Sequence, residues 1–198
     1  MDKDITTAIN LLSKLPGLGP KSARRIVLHL LQNQAKSMIP LLNSISSLQE
    51  SIKHCEICGN LDKISPCYLC NNHSRDHSTL CIVEGVIDIW ALERGNIYNG
   101  IYHVLGGTLS AIDGINPDKL NITSLKNRLT KNNIKEVIVA INSTVEGQTT
   151  AHYITQFIRS FADNIIISFL ANGIPMGGEM DYLDEGTLSI ALNSRIKQ

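Results

Sequence analysis

The chain has no run approaching the roughly 18 apolar residues of a membrane span. It also has no secretory leader: Met1-Asp2-Lys3-Asp4 is charged and passes straight into an amphipathic pattern. The cytoplasm is therefore the expected compartment. Low-complexity stretches are lacking, and so is net charge, since 18 Lys and Arg balance 18 Asp and Glu. That balance excludes a uniformly basic coat for nucleic acid. Neither G-x-x-x-x-G-K-[ST] nor G-x-G-x-x-G occurs, because Gly17-Leu18-Gly19-Pro20-Lys21-Ser22 has the wrong spacing. ATPase and dinucleotide-binding functions thus lack their phosphate cradle. The six histidines show no metal-ligand spacing. What is present is 198 residues, 43% of them hydrophobic, enough for one medium domain with smaller attachments.

Cysteine is scarce but concentrated. Four of the five cysteines form two C-x-x-C pairs, Cys55/Cys58 and Cys67/Cys70, separated by eight turn-prone residues. Each pair can place two thiolates on one ion, and two pairs close the tetrahedral sulfur shell of a structural zinc site, leaving no position for a reacting water. A redox motif would need only one pair, and disulfides suit an exported chain. One structural zinc ion per chain is expected. Cys81, inside an apolar run, reads as a buried small hydrophobe.

Charge is placed unevenly. Residues 1–36 hold Lys3, Lys14, Lys21, Arg24, Arg25 and Lys36 against Asp2 and Asp4, so this stretch carries +4 and the remainder −4. A grip on phosphate is to be sought here first. Ile5, Ala8, Ile9 and Leu12 recur at helical spacing, as do Ala23, Ile26, Val27, Leu30 and Leu31. Leu15-Pro16-Gly17-Leu18-Gly19-Pro20 joins the two helices. Pro16 stops the first, the glycines allow a backbone excursion, and Pro20 suits the first turn of the second. Amides at such a helix start attract anions. Lys21 and Arg25 share the face opposite the apolar stripe, flanked by Arg24, and Leu28 lies with them, which calls for a packing partner such as a second subunit. A solvated connector is the plainer alternative. Residues 37–52 continue helically through Met38, Leu41, Leu42, Ile45 and Leu48. An arm of this size buries too little to be comfortable alone.

Past the cysteines, short apolar runs (Leu80–Val83, Ile101–Leu105, Val137–Ile141, Ile165–Ile167) alternate with helical patterns around Val86–Arg94, Ser124–Asn132 and Thr149–Phe161. This rhythm predicts a parallel sheet covered on both faces, with function at the strand ends. Glu84-Gly85 ends the first strand, and Asn142-Ser143-Thr144-Val145-Glu146-Gly147 ends the third. Gly106-Gly107 reads as a turn. After the breaker-rich Ala171–Gly178, the acids Glu179, Asp181, Asp184 and Glu185 could solvate a surface, start a helix or face a basic partner.

Leu15–Ala23 resembles the helix-hairpin-helix motif, which holds a DNA backbone without reading sequence. That resemblance implies phosphate contacts from Gly17, Gly19, Lys21, Arg24 and Arg25. Glu84 with Glu146-Gly147 resembles the Toprim domain of topoisomerases and primases, in which a strand-end Glu and a later Asp-x-Asp hold magnesium. The Asp-x-Asp positions carry Asn142 and Thr144 here, and two glutamates alone make a poor magnesium cage. The chain therefore reads as a Toprim scaffold without Toprim catalysis, the alternative being a magnesium-dependent nickase or topoisomerase using Glu84 and Glu146.

Taken in order, these pieces, together with Tyr102-His103-Val104-Leu105-Gly106-Gly107 and Gly173-Ile174-Pro175-Met176-Gly177-Gly178, resemble the RecR family of bacterial recombination mediators. The fold implied is α+β in several parts: a helix-hairpin-helix arm over 1–53, a four-cysteine zinc finger over 54–77, a Toprim domain with a mainly parallel sheet over 78–170, and a C-terminal segment with a short helix over 171–198. The resemblance implies a non-enzymatic DNA-repair protein acting with RecO-like and RecF-like partners to load RecA onto gapped, single-strand-binding-protein-coated DNA. It further implies homodimers assembling into a tetrameric ring, duplex contacts at Lys21 and Arg25, and partner contacts at Glu84 and Glu146. Phe169 and Asn172 depart from the family's basic residue and histidine. A zinc-stabilised adaptor without DNA binding is the remaining alternative.

Overall fold

Asp2 starts the first helix by accepting hydrogen bonds from the Asp4 and Ile5 amides through its carboxylate, so α1 runs Lys3–Leu12. Helix α2, Pro20–Gln32, follows the glycine-containing connector, with Pro20 at its first position where no amide partner is required. Ile9, Ala23 and Val27 are buried where the two helices cross, with Ile5, Ala8, Leu12 and Leu31 packed against them. The sequence predicts a single helix from 37 onward. Instead a π-helical turn, Gln34–Met38, precedes α3, Ile39–Ser51. Asn33 leaves helical geometry, and its side chain bonds the His29 carbonyl, so the chain re-enters the helix through a wider turn. In the computed structural model, residues 2–131, 133–171, 173–174, 177 and 179–193 are described. They form two compact units, one ending at Ile52 and the other beginning at Lys53.

The second unit begins with a two-stranded antiparallel hairpin, β1 (Lys53–His54) and β2 (Leu61–Asp62), and a single helical turn, α4 (Tyr68–Asn71). The α/β body then alternates β3 (Asp76–Val83), α5 (Val86–Gly95), β4 (Gly100–Val104), α6 (Ile122–Lys131), β5 (Glu136–Ala140), α7 (Val145–Arg159) and β6 (Ile166–Phe169). Its four strands are all parallel, in the order β4-β3-β5-β6. Neighbouring residues of β3 serve opposite faces. Leu80 and Ile82 join Leu125, Leu129, Ile154 and Ile158 in one core, while Cys81 and Val83 join Ile89, Tyr102 and Val104 in the other. This double burial explains the continuous apolar strands.

Helix α7 starts four residues before its expected onset because Thr144 caps it, the hydroxyl accepting from the Gly147 amide at 3.0 Å. Strand β3 is likewise longer than its apolar run, since its polar start pairs Asp76 with Gly100. At the C-terminus α8 spans Glu185–Asn193, started by Asp184, whose carboxylate accepts from both the amide and the hydroxyl of Thr187. Of the family-resembling tail, Gly173, Ile174 and Gly177 belong to the described residues and Pro175, Met176 and Gly178 lie outside them, as does Asn172.

Candidate metal centre and nucleic-acid interface

The cysteine clip is built by tight local turns. Gly59 adopts φ +78° right after Cys58, which lets the Cys55 amide bond the Asn60 carbonyl at 2.7 Å and the Gly59 amide bond Cys55 at 2.8 Å. The second pair enters α4, with Cys67 as its preceding residue and Cys70 within it. All four Sγ atoms lie within 4.8 Å of one another, and among the described residues this is the only such group of three or more metal-ligating side chains. Tetrahedral zinc with Zn–S near about 2.3 Å requires sulfurs about 3.8 Å apart. The observed Cys58–Cys67 and Cys55–Cys70 separations are 3.5 and 4.0 Å. The amides of Asn60 and Cys67 donate to the sulfurs of Cys58 and Cys55. Such donors support anionic sulfur.

The cluster can therefore hold a metal ion. Left to themselves, sulfurs this close divide into proton donors and acceptors. The hydrogen bond with Cys67, then that with Cys70 and burial, hold Cys58 as a thiol, while Cys67 is driven far below the usual thiol range, chiefly by its bond from Cys58. For Cys70 the Cys58 bond acts downward, yet the Cys67 bond, burial and the Cys67 charge push it up to about 12. A divalent cation at the centre removes this conflict.

The clip is seated on the body. The Val104 amide donates to the Cys58 carbonyl at 2.8 Å, and Leu69 packs against both the cysteines and the Tyr102–Val104 face of β4. Between clip and strand ends opens a cleft of about 820 Å³ whose walls include Glu56, Glu84, Asp88, Lys119 and Asn142.

In the helical unit, Gly17 takes φ +76° and Gly19 is the residue preceding α2. Both glycines are exposed, their amides make no hydrogen bond among the described residues, and a side chain at either would meet open space. Lys21, Arg24 and Arg25 are exposed beside them, while Ala23 is fully buried. The connector thus presents two exposed glycine amides next to three cations, an arrangement suited to phosphate. Leu28 is exposed, as are Ile39, Leu42, Ile45 and Leu48 on α3.

At the strand ends of the body, Glu84 and Asn142 come together, the Asn142 amide nitrogen donating to Glu84 Oε2 at 2.8 Å. The first Asp-x-Asp position is thus filled by a hydrogen-bond donor, and the second, Thr144, is the α7 cap. Asp88 accepts from the Gly85 amide at 2.8 Å. Glu146 is exposed on the first turn of α7. Gly147 is required by close approach, since a Cβ there would stand 1.9 Å from the Asn142 carbonyl oxygen.

Comparison with known proteins agrees piece by piece. Residues 5–48 match the helix-hairpin-helix of RecR, residues 78–171 the Toprim domain, and residues 173–196 the RecR C-terminal region. Recombination protein RecR of Ehrlichia canis is 56% identical over 192 residues, covering 97% of both chains. Those of Neorickettsia sennetsu and Rhizobium leguminosarum bv. trifolii are 52% identical over 195 residues (98% of each chain) and 51% over 192 residues (97% of this chain, 94% of the relative). The chain belongs to the RecR family.

Against that family frame, the structure also brings forward residues that sequence patterns passed over. His103 is fully buried, its Nε2 bonded to the Asn121 carbonyl at 2.9 Å. Arg75 pairs with Glu93, which also accepts from the Tyr102 hydroxyl. Arg128 is buried on α6 and donates to the Tyr102 carbonyl. A signal existed for Arg128, which falls on the same helical stripe as Ile122, Leu125 and Leu129. Phe169 is exposed at the end of β6. Among the described residues, no helix is long and apolar enough to cross a membrane.

Proposed function

We propose that this RecR-family chain is a non-enzymatic DNA-binding mediator of recombinational repair. In this reading it acts with RecO-like and RecF-like partners to load RecA onto gapped single-stranded DNA. The observation that carries the reading is the connector of the helical arm: Gly17 and Gly19 amides without a partner among the described residues, beside exposed Lys21, Arg24 and Arg25, in a chain related to RecR proteins over nearly its whole length. Work is divided among the arm (1–53), the zinc finger (54–77), the Toprim body (78–170) and the tail (171–198). Zinc is the ion held by Cys55, Cys58, Cys67 and Cys70, and its closed sulfur shell makes it structural. The apolar outer face of α3 favours self-association into dimers and, from them, a ring. Glu84 and Glu146 face protein partners. Against strand-end catalysis stand the amide at Asn142, which already engages Glu84, and the capping role of Thr144.

The test is a duplex-binding titration at several salt concentrations, with a plasmid assay on the same preparation. Lys21→Ala with Arg25→Ala lowers the salt slope by about one ion per lost contact. An unchanged slope would remove those residues from the interface. Magnesium-dependent nicking that disappears in Glu84→Gln would replace the mediator reading with an enzymatic one.

A further inference from the structure

Arg128 is an anomaly of charge. It is 6% exposed, yet among the described residues the only ion pair joins Arg75 to Glu93. Arg128 Nη1 donates to the backbone carbonyl of Tyr102, and its Nε has no hydrogen-bond partner. A guanidinium this deep, with no carboxylate opposite, is costly unless some other negative charge stands nearby.

The cysteine clip adjoins the strand that holds Arg128. Tyr102 lies on β4 two residues before Val104, whose amide holds the Cys58 carbonyl, and α4, which carries Cys70, packs on the same strand. Arg128 also shares a cavity of about 380 Å³ with Glu56 and Ile57, the two residues between the first pair of cysteines. Glu56 and Lys131 line that cavity too, but Glu56 is exposed and forms no ion pair among the described residues. Four thiolates around a divalent ion leave a net charge of about −2 in a partly dry site.

We propose that Arg128 is the counter-charge of the four-cysteine metal centre, a positioning residue that tightens the hold on zinc and lowers the reactivity of the thiolates. The inference rests on the zinc reading above and adds to it an electrostatic partner from outside the finger. The cation balances the excess negative charge of the metal–thiolate unit, and the unit in turn makes burial of the guanidinium tolerable. The Tyr102 carbonyl anchors the guanidinium to β4, so the compensation is supplied by the fold of the body and not by the finger itself.

The experiment compares full-length wild type, Arg128→Met, Arg128→Lys and Glu56→Gln. Zinc content of the wild type comes first. A chain that purifies without zinc and binds none defeats the zinc reading itself, separately from the role of Arg128. Given zinc, competition with a chromogenic chelator is expected to show affinity in Arg128→Met weaker by about 10- to 100-fold. Arg128→Lys, which keeps the charge, and Glu56→Gln stay close to wild type. In the cobalt(II)-substituted proteins the sulfur-to-metal charge-transfer band of Arg128→Met moves to lower energy, because the thiolate electrons lose a stabilising cation, and alkylation of the thiolates accelerates. A merely structural arginine would move neither reading. Should Arg128→Met fail to fold, Arg128→Gln takes its place beside Arg128→Lys. Wild-type zinc affinity and an unshifted cobalt band in the neutral variant would overturn the proposal. Equal loss in the neutral and lysine variants would do so as well, by assigning the effect to the Tyr102 hydrogen bond.

Discussion

Two glycines of this chain exemplify different constraints. Gly147 sits in ordinary helical backbone but against the Asn142 carbonyl, where a Cβ would come to 1.9 Å. Gly17 has open space around it but a left-handed φ of +76°. Gly147→Ala should therefore cost about 2–4 kcal/mol, because packed backbone has to move. Gly17→Ala should cost only about 1 kcal/mol of local strain. Urea unfolding midpoints of the two variants test that ranking.

His103 makes the clearest residue-level link between burial and pH. Burial holds its pKa down at about 4, with the Asn121 carbonyl acting upward and Arg128 downward. The depressed value means that the fold favours the neutral ring. That contribution is complete above the unfolded value of about 6.5 and is lost as pH falls from there toward the folded pKa. Over this window up to about 3 kcal/mol is at stake. Between about pH 7 and about pH 5 the wild-type unfolding midpoint should fall more steeply than that of His103→Gln, which keeps a donor for Asn121. Parallel slopes in the two proteins would contradict the assignment.

At the scale of elements, α7 shows how one side chain relocates a boundary. The apolar stripe points to a start near Thr149, but the Thr144 hydroxyl satisfies the Gly147 amide and extends the helix back to Val145. The same side chain occupies a position that in the resembling catalytic Toprim domains is an aspartate. Thr144→Ala should destabilise by about 1 kcal/mol, the usual value of a lost cap, whereas Thr144→Asp, an equally good cap, should be nearly neutral. Thermal unfolding of the pair checks this. Helix α3 poses the complementary case, an element with no buried residue in the described chain and an outward row of Ile39, Leu42, Ile45 and Leu48. Its apolar spacing was legible as helix. The π-helical turn before it was not, because Asn33 breaks the pattern through a backbone conformation that periodicity does not encode.

For the whole molecule, the cysteine clip is continuous with the α/β body and not an independent bead. Val104 bonds Cys58, Leu69 belongs to both cores, and a Cβ at Gly59 would press on Val104 at 3.2 Å. Loss of one ligand should therefore be felt beyond the finger. Cys58→Ser is expected to lose zinc stoichiometry and to lower the melting temperature of the second unit, as prolonged chelation of the wild type should also do. A variant that keeps wild-type melting without zinc would sever that coupling.

The two C-x-x-C pairs, the hairpin connector Leu15–Ala23 and the four apolar strand runs were determined by the sequence alone. Each rests on short-range rules: ligand spacing, turn chemistry and side-chain period. Tertiary structure alone decided that Asn142 reaches across 58 positions to engage Glu84, that burial favours the neutral His103 ring, and that Arg128 is buried with its guanidinium on the Tyr102 carbonyl. Those facts depend on which residues the parallel sheet order β4-β3-β5-β6 brings side by side. Spacing along a chain records what a residue can do, whereas burial and neighbouring charge, which fix what it does, arise only when distant segments meet.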